Sequence, residues 1–380
     1  MSERSLKVLI SAGEASGDMH AATVICELRE IHSDIDISGI SGPAMRKAGC
    51  NVLADIHELN VMGVVDVLKS LPRIRQVRQR ILQWAEKERP DIAILVDFPG
   101  FHINIGRKLR RMGIPVVQYI APKLWAWGAW RAGKLRDSQD ALASILPFET
   151  DWFAQRGIKA RYVGNPSAVA SRSGWSRDEY MHRSGLNAAS QVLAILPGSR
   201  PSELAHHIPL LAAVWAHIHR LRPDLQAVIP LVSGVDETLL EPLTKQGVCL
   251  IPRMQDDFRL YADVAVAVSG TATLELALWD VPTVLVYRTA PFTVFMARRV
   301  IRVPFIGLAN LLLNQSAMPE LIQEEANEER VVGEIIKLLD DKSAVQAQKS
   351  HFSRLRELLG EDDPANQVAH MAISLAEKGI

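Results

Sequence analysis

Short apolar runs rich in β-branched residues alternate with helical patterns along most of the chain. The first series is KVLIS, DIAILVD, IPVVQYI and ALASIL, and the second is QVLAILP, LQAVIPLV, VAVAVS and PTVLVY. Runs that are apolar throughout, without polar alternation, are typical of parallel strands that helices cover on both faces. The pattern therefore predicts an α/β fold with two successive parallel sheets.

A chain of 380 residues is too long for one ordinary core and suits two domains. Between the two series, residues 163–176 lose the apolar periodicity and gather Ser, Gly, Asn and Pro, as a connection between domains does. We therefore predict an N-terminal domain over residues 1–165 and a C-terminal domain over residues 166–340. After Pro319 we expect no further strands, and helical patterns continue to the end.

Charge and cysteine content narrow the class of protein. The 43 Lys and Arg residues balance 43 Asp and Glu residues, so no net field draws the chain to nucleic acid. Cys26, Cys50 and Cys249 are too widely spaced for a disulfide framework or paired zinc ligands, which favours a reducing cytoplasm. No run approaches the roughly 18 apolar residues of a membrane span, and the first apolar run is too short for a signal peptide. We expect a cytoplasmic protein whose contact with a membrane is peripheral.

Open parallel sheets bind ligands at the carboxyl ends of their strands, so the loops there are candidate sites. In the second half, Ser269 and Gly270 follow a strand and Thr271 begins a helix, whose free amides and dipole suit a phosphate group. One turn later the Glu275 carboxylate suits two ribose hydroxyls, so a nucleotide diphosphate fits both groups. The candidate ligands in this loop are Ser269, Gly270, Thr271, Ala272, Thr273 and Glu275. The alternative is that Ser269 or Thr271 only caps the helix.

The LPGSR loop, residues 196–200, also joins a strand to a helix. Gly198 permits close approach of the backbone, Ser199 offers a hydroxyl and Arg200 offers a bidentate cation for phosphate oxygens. The alternative is a capped turn with a solvated arginine. Neither loop has the P-loop spacing or G-x-G-x-x-G, so the kinase and dehydrogenase classes lose their main support.

Two loops of the first half carry carboxylates. In SAGEASGD the glycines let the backbone approach a bulky ligand, and Glu14 and Asp18 suit sugar hydroxyls or proton transfer. In VDFPGFHIN the apolar neighbours of Asp97 are expected to raise its pKa, as a general base requires. The alternatives are a purely structural turn for the first loop and a helix cap for Asp97.

These loops belong to a longer set of motifs: GEASGD, DFPGF, PKLWAW, ILPFE, LPGSR, SGTATLE, VPTVLVYR and PELIQEE, in that order. The set, which extends over essentially the whole chain, closely resembles the lipid-A-disaccharide synthases, family 19 glycosyltransferases of lipopolysaccharide assembly. The resemblance implies a GT-B fold, in which two Rossmann-like domains with parallel sheets face each other across a cleft. It also implies that the C-terminal helices, residues 341–380, return to the N-terminal domain.

The resemblance implies an inverting glycosyl transfer. UDP-linked 2,3-diacylglucosamine would pass its sugar to the 6-hydroxyl of 2,3-diacylglucosamine 1-phosphate, giving the β-1,6 disaccharide 1-phosphate and UDP, with no cofactor and no metal. An inverting displacement needs a carboxylate at the acceptor hydroxyl, and Asp97 is the first choice and Glu14 the second. Arg200 and the Thr271 turn are expected to stabilise the leaving UDP.

Four further residues receive a role from the resemblance. Arg288 and Asn310 are expected at the donor site, and Ser16 and Asp18 on the acceptor side.

Two positions depart from the pattern of the family. Ala309 stands where the family usually has Pro, and His102 where an Asn is common. We expect His102 to be packed or hydrogen-bonded rather than catalytic. The histidines at positions 206, 207, 217 and 219 do not share a helix face in pairs, so we expect surface residues rather than a metal site.

A lipid substrate requires a membrane-facing surface. Residues 60–80 mix apolar and basic side chains, as a segment in the headgroup region of an anionic membrane does. The apolar members are Val61, Met62, Val64, Val65, Val67, Leu68 and Leu71. The alternative is an ordinary amphipathic helix packed on its sheet, and residues 291–305 have a similar composition. The resemblance also implies a homodimer on the inner face of the bacterial inner membrane.

Three interpretations remain open at this stage. Trp125, Trp127 and Trp130 fit either core aromatics or a wall for a sugar or an acyl chain. An enzyme similar to UDP-N-acetylglucosamine 2-epimerase would use the same donor without a lipid surface. A non-catalytic protein that binds UDP-sugars or lipids would have no use for Glu14 and Asp97.

Overall fold

The computed structural model describes residues 5–59, 64–169, 175–231, 235–252, 261–290 and 303–378, with the backbone alone for residues 64–70. The chain divides into two compact units. The first comprises Met1–Pro166 and Glu361–Ile380, and the second comprises Ser167–Gly360. The predicted α/β class with two parallel sheets is confirmed.

The strands of the first unit are β1 Leu6–Ala12, β2 Ile35–Ser41, β3 Asn51–Asp55, β4 Ile92–Val96, β5 Val116–Tyr119, β6 Ala141–Ser144 and β7 Ala160–Tyr162. Those of the second are β8 Val192–Leu196, β9 Gln226–Leu231, β10 Cys249–Pro252, β11 Val264–Val268, β12 Thr283–Tyr287 and β13 Glu320–Ile322.

The helices up to the end of β7 are α1 Ala15–Ile31, α2 Pro43–Lys47, α3 Val64–Glu88, α4 Pro99–Arg111, α5 Ala132–Arg136 and α6 Glu149–Ala154. The later helices in the described part are α7 Arg177–Arg183, α8 Pro201–Leu221, α9 Glu241–Thr244, α10 Thr271–Leu278, α11 Leu308–Leu313, α12 Glu328–Asp340, α13 Lys342–Leu359 and α14 Pro364–Lys378. Short 3-10 turns cover Ile56–Glu58, Ala129–Arg131, Glu237–Leu240 and Gln323–Glu325.

Both sheets are parallel, and in each the order in which the chain adds strands reverses once. Among the described residues the first sheet has the order β3-β2-β1-β4-β5-β6-β7 and the second the order β10-β9-β8-β11-β12-β13. The chain therefore reverses its progress across the sheet between β1 and β4, and again between β8 and β11. Loops that leave neighbouring strands at such a switch point run to opposite faces and leave a crevice for a ligand. The strand order therefore predicts a crevice at the switch point of each described sheet, beside the candidate loops.

The core of the first unit includes the end of the chain. Helix α1 buries Val24, Ile25 and Leu28, and α14 packs against α1 with fully buried Val368 and Ala372. Each buried valine, leucine or isoleucine among them contributes about 1.5–3 kcal/mol relative to an exposed one. The last helix is therefore part of this unit's core.

Two predictions about the chain's organisation are corrected. The return to the first unit begins at Glu361 rather than residue 341, because α13 buries Phe352, Leu355 and Leu359 in a cluster of the second unit. A strand does follow Pro319, since β13 pairs with β12 as the edge of the second sheet. The division itself lies at Pro166, beside the predicted boundary at residue 165.

Strand β2, which is absent from the prediction, lacks a continuous apolar run. Strand β2 has the sequence IDISGIS, and its Gly39 is required because a Cβ there would overlap the carbonyl of Ile10 on β1. Such a close backbone approach is a common reason for glycine inside a strand. Polar residues and glycine thus concealed a central strand of the sheet.

Within the described ranges, no helix is both long and apolar enough to span a membrane.

Replacing Leu355 by Ala tests the packing of α13. We expect the free energy of unfolding to fall by about 2–5 kcal/mol, because a fully buried leucine leaves a cavity. Leu358→Ala on the same helix, where the side chain is 43 % exposed, should change stability by less than about 1 kcal/mol. Urea unfolding followed by circular dichroism measures both, and equal losses would contradict the assignment of α13 to the core.

Candidate active site

The switch point of the first unit brings Glu14 and Asp97 together. Strands β1 and β4 are in register with Ala12 opposite Val96, so the turns after both strands leave the sheet at the same level. The Phe98 ring lies against Gly13, where any Cβ would overlap the ring. The glycine of the GEASGD motif thus admits Phe98, and the charge of Glu14 reaches Asp97, whose pKa it raises.

Asp97 is fixed by its backbone. Both Asp97 (φ 50°) and Phe98 (φ 48°) lie in the left-handed region, which costs of order 1–3 kcal/mol for each residue without glycine's freedom. The Asp97 amide donates to the carbonyl of Tyr119 at 2.8 Å, and its carbonyl accepts from Gln118 Nε2 at 3.3 Å. Several contacts therefore hold a strained backbone that presents the side chain at the edge of the sheet.

The environment of Asp97 suits a proton acceptor. Burial raises the pKa of Asp97, and the negative charge of Glu14 raises it further. A hydrogen bond from the Phe98 amide and the positive charge of Lys123 oppose this shift. A carboxylate whose pKa is raised toward the working pH is a stronger base than an ordinary aspartate.

His102 is a structural part of the same site, as expected. Its ring is fully buried, with Nδ1 2.7 Å from the Asp97 carbonyl and Nε2 2.9 Å from Ser11 Oγ. Because a carbonyl only accepts, Nδ1 carries the proton, and Nε2 accepts from the Ser11 hydroxyl. Burial lowers the pKa of His102 to about 4, so the ring is neutral near pH 7.

The acceptor-side role expected for Asp18 is corrected. Its carboxylate is buried, with Oδ1 accepting from the Gly42 amide at 2.7 Å and Oδ2 from the Ala44 amide at 2.8 Å. These amides belong to the open end of α2, so Asp18 caps that helix from another part of the chain. Ser16, by contrast, is exposed in the first turn of α1, and its role stays a prediction.

The second switch point places the predicted phosphate loops side by side. Strands β8 and β11 pair with Leu196 opposite Ala267, so the loops that contain Gly198 and Gly270 leave neighbouring strands. The amides of Thr271 and Ala272 lie in the first turn of α10, which has no acceptors within its own helix. The geometry offers backbone donors to one ligand from two loops.

Two members of the Gly270 loop are tied to the protein. The Thr273 hydroxyl is buried and donates to the Gly270 carbonyl at 2.8 Å, and the donor-binding role expected for Thr273 stays a prediction. The Ser269 hydroxyl donates to the carbonyl of Ile306 at 3.0 Å. Both side chains shape the loop, and Glu275 stays a candidate by its position in the first half of α10.

The carboxylate of Glu203 already occupies the LPGSR loop. Its Oε2 accepts from the amides of Ser199 at 3.2 Å and Arg200 at 3.3 Å, and Gly198 (φ 100°) makes room for the carboxylate. Arg200 Nη1 lies 3.3 Å from Glu203 Oε1, while the Arg200 side chain stays 73 % exposed. The carboxylate occupies the amide donors that the sequence predicts for phosphate. The turn is therefore shaped to bind an oxyanion.

His207 was expected at the surface and is fully buried instead. Its Nε2 accepts from the amide of Arg288, after β12, at 2.9 Å, and Nδ1 lies 2.6 Å from the carbonyl of Glu203. The ring thus connects the start of α8 to the end of β12. Its helical spacing with the buried Leu204 and Leu211 was the signal available in the sequence.

The donor-site role expected for Asn310 is corrected. Its side chain is fully buried; Nδ2 donates to the Met318 carbonyl and to Glu320 Oε1, both at 2.8 Å. Its Oδ1 accepts from the amides of Ala317 at 2.8 Å and Met318 at 2.9 Å. Both donors and both acceptor positions are occupied. Asn310 therefore shapes the loop between α11 and β13.

The segment predicted to face a membrane, residues 60–80, is only partly described. Val61 and Met62 lie outside the described residues, whereas Val64, Val65, Val67 and Leu68 fall on the described backbone of α3. Leu71 is exposed on the same helix. Most of the second apolar and basic segment, residues 291–302, also lies outside the description. Among the described residues, no three His, Cys, Asp or Glu side chains are grouped as metal ligands.

Comparison with known proteins identifies the family. The model of the lipid-A-disaccharide synthetase family matches residues 8–373. The chain belongs to the lipid-A-disaccharide synthase family. A lipid-A-disaccharide synthase of Nitrosococcus oceani is 35 % identical over 373 residues, which cover 97 % of this chain and 96 % of the relative. The resemblance seen in the sequence and the glycosyltransferase class are thus confirmed.

Solved structures agree with the predicted GT-B class. The UDP-GlcNAc 2-epimerase of Neisseria meningitidis, bound to UDP-GlcNAc, is 13 % identical with a TM-score of 0.66, over 97 % of this chain and 100 % of that one. The calicheamicin glycosyltransferase CalG4 is 16 % identical with a TM-score of 0.60, over 99 % of each chain. At these identities the likeness shows the fold alone, which this chain shares with both enzymes.

The buried His102 predicts a loss of stability in acid. The unfolded chain binds a proton at this ring near pH 6.5, whereas the folded chain does so only near pH 4. Stability is therefore lost as the pH falls through this window, by about 3 kcal/mol from this group. His102→Asn, which can still donate to the Asp97 carbonyl, should flatten the dependence measured by urea unfolding from pH 7 to pH 4. An unchanged slope in the variant would refute the assignment.

Proposed function

We propose that this protein transfers 2,3-diacylglucosamine from UDP to the 6-hydroxyl of 2,3-diacylglucosamine 1-phosphate with inversion, forming the β-1,6 disaccharide 1-phosphate and UDP. Membership of the lipid-A-disaccharide synthase family supports this reaction. The observation that carries it is the Asp97 carboxyl group. It stands on a strained backbone at a switch point, and burial raises its pKa.

In this proposal Asp97 is the general base. Its carboxylate takes the proton of the acceptor 6-hydroxyl while the oxygen attacks the anomeric carbon from the face opposite UDP. The bond to the UDP oxygen breaks as the new glycosidic bond forms, which inverts the anomeric centre. Glu14 remains the second choice, and its negative charge favours proton uptake at Asp97.

We assign the leaving diphosphate to the loops of the second unit. Its oxygens would accept from the amides after Gly198 and Gly270, and the Arg200 and Arg288 cations would balance the developing charge without a metal. The carboxylate of Glu203 would have to release the Ser199 and Arg200 amides as the phosphate binds. The epimerase solved with UDP-GlcNAc supports a UDP-sugar as the ligand of this fold.

Two proposals concern the cellular setting. The lipid substrates call for a peripheral position on the inner face of the inner membrane, and the exposed Leu71 on the basic helix α3 supports contact with an anionic bilayer. We also propose a homodimer, on the resemblance to the family alone.

The rival functions predict different uses of the carboxyl groups. A UDP-GlcNAc 2-epimerase would act on the donor without an acceptor, whereas the family match favours transfer. A non-catalytic binding protein would gain nothing from the strained Asp97 backbone. An assay of UDP release with and without the acylated acceptor separates the transferase from both rivals, since only a transferase needs the acceptor for turnover.

Asp97→Asn tests the general base directly. We expect kcat to fall by about 100-fold or more, because the amide cannot take the acceptor proton, while the affinity for UDP stays within twofold. Asp34→Asn, an exposed residue before β2 at the opposite edge of the sheet, should keep full activity. Turnover assays and UDP titration calorimetry measure the two effects. Retained turnover in Asp97→Asn would refute the role.

Arg200→Ala tests the donor site. The loss of one charge-assisted contact to phosphate should raise the KM for the UDP-linked donor about 10-fold and leave the acceptor KM within twofold. Arg220→Ala, an exposed arginine at the other end of α8, is the control and should change neither value. Glu203→Gln should lower the donor KM, because it removes the carboxylate that competes for the same amides. Parallel changes in both KM values would argue against this assignment.

A further inference from the structure

The loop after β5 carries exposed aromatic and basic side chains, and β5 neighbours β4, the strand that Asp97 follows. Strand β5 lies between β4 and β6, with Tyr119 opposite Val96 on one side and Ala143 on the other. Trp127 and Trp130 are 53 % and 74 % exposed, whereas tryptophan side chains are highly buried on average. None of the steps of the proposed reaction uses a residue of this loop.

Lys123 stands at the centre of this loop. Its chain leaves β5 directly after Tyr119, whose carbonyl accepts the Asp97 amide at 2.8 Å. The ammonium group is exposed, and among the described residues no carboxylate oxygen lies within the 4.0 Å of an ion pair. Its charge acts on two carboxyl groups, Asp97 after β4 and Glu149 after β6. One cation therefore acts on carboxyl groups that follow the strands on either side of β5.

The loop is held in a fixed conformation. Ile120, its first residue, has φ 66°, a rare conformation for a β-branched residue and a sign of strain at a functional segment. Further along, the Trp125 Nε1–H donates to Oε1 of the buried Glu149 at 2.9 Å, and the Trp125 ring packs edge-on against Phe148. Glu149 also accepts from the Leu146 amide at 3.3 Å. A buried anchor thus fixes the turn that carries Lys123.

Among the described residues, neither carboxyl group near Lys123 forms an ion pair with it. Burial raises the pKa of Glu149 to about 7, so this carboxyl group is only partly ionised near neutral pH. The Arg131 guanidinium lies 5.9 Å from the centre of the Trp127 ring and adds a second positive charge. The surface therefore suits an anion that is attached to a body which can lie against an aromatic ring.

We propose that Lys123 binds the phosphate of the acceptor sugar and that Trp127 contacts the sugar ring. The inference rests on the proposed function, since the acceptor carries its phosphate on the same ring as the 6-hydroxyl that Asp97 deprotonates. A sugar phosphate carries close to two negative charges and three acceptor oxygens, which a lysine ammonium can bind from one side. Lys123 then positions the acceptor and takes no part in proton transfer.

The test compares two acceptors in the full-length protein. One is diacylglucosamine 1-phosphate, and the other is the same diacylglucosamine without the phosphate. Lys123→Ala should raise the KM for the phosphorylated acceptor about 10- to 100-fold, leave the donor KM within twofold, and remove the preference for the phosphorylated acceptor. Lys123→Arg should restore most of that preference, because a cation is present again.

Lys134→Ala is the matched control, since Lys134 is an exposed lysine on α5 in the same unit. It should behave as the unmodified protein does. Equal losses of Lys123→Ala on both acceptors would overturn the proposal, because the lysine would then act on something other than the phosphate. A reduced sedimentation of Lys123→Ala with phosphatidylglycerol vesicles, with the acceptor preference kept, would overturn it as well and assign the cation to the membrane.

Failure of the proposed function is distinguishable from failure of this inference. If the unmodified protein releases no UDP with either acceptor, the transferase assignment fails. The exposed tryptophans then report binding of diacylglucosamine 1-phosphate by fluorescence: weaker binding to Lys123→Ala supports the phosphate site, and equal binding overturns it. If the unmodified protein is active and Lys123→Ala has unchanged kinetics, only the phosphate site is refuted.

Discussion

The hydrogen bond from the buried His102 ring to the carbonyl of Asp97 is the contact on which the candidate site depends. A residue in the left-handed region without glycine's freedom returns to ordinary backbone geometry unless its neighbours hold it. Here the ring holds the carbonyl from within the core, Ser11 fixes the ring from the next strand, and Tyr119 accepts the amide. The Asp97 backbone can therefore remain strained while its partly buried carboxyl group stays fixed in place.

In both units a buried histidine fixes the backbone of a candidate loop by hydrogen bonds. In each, the candidate loops follow the two neighbouring strands at the switch point of the sheet, and buried side chains fix the backbone of those loops. His102 has this function in the first unit, and His207 has it in the second, where it connects α8 to the backbone after β12. Both rings accept a hydrogen bond at Nε2 and are therefore neutral, and burial lowers the pKa of each.

The sequence allowed the architecture and most of the loops to be predicted, but not the use of every polar side chain. Continuous apolar runs reveal buried parallel strands, and the position of Asp97 directly after such a run placed it at the edge of the sheet. Asp18 and Asn310 lie in motifs of the same kind, yet they bind backbone amides that are distant in the sequence or in a loop without a regular pattern. Local sequence contains no signal for such partners. Strand β2 was not predicted for a related reason, because its Gly39 is required by close contact with the backbone of the neighbouring strand β1.

Glu203 gives the second unit an internal competitor for its ligand. A carboxylate tethered in the first turn of α8 is always close to the Ser199 and Arg200 amides, so its effective concentration there is high without any free anion. If a diphosphate uses the same donors, its departure leaves no unsatisfied amide, because the side chain takes its place. Such a substitution weakens retention of the spent nucleotide and favours rapid release, which matters for an enzyme that must exchange UDP for a fresh donor in every catalytic cycle.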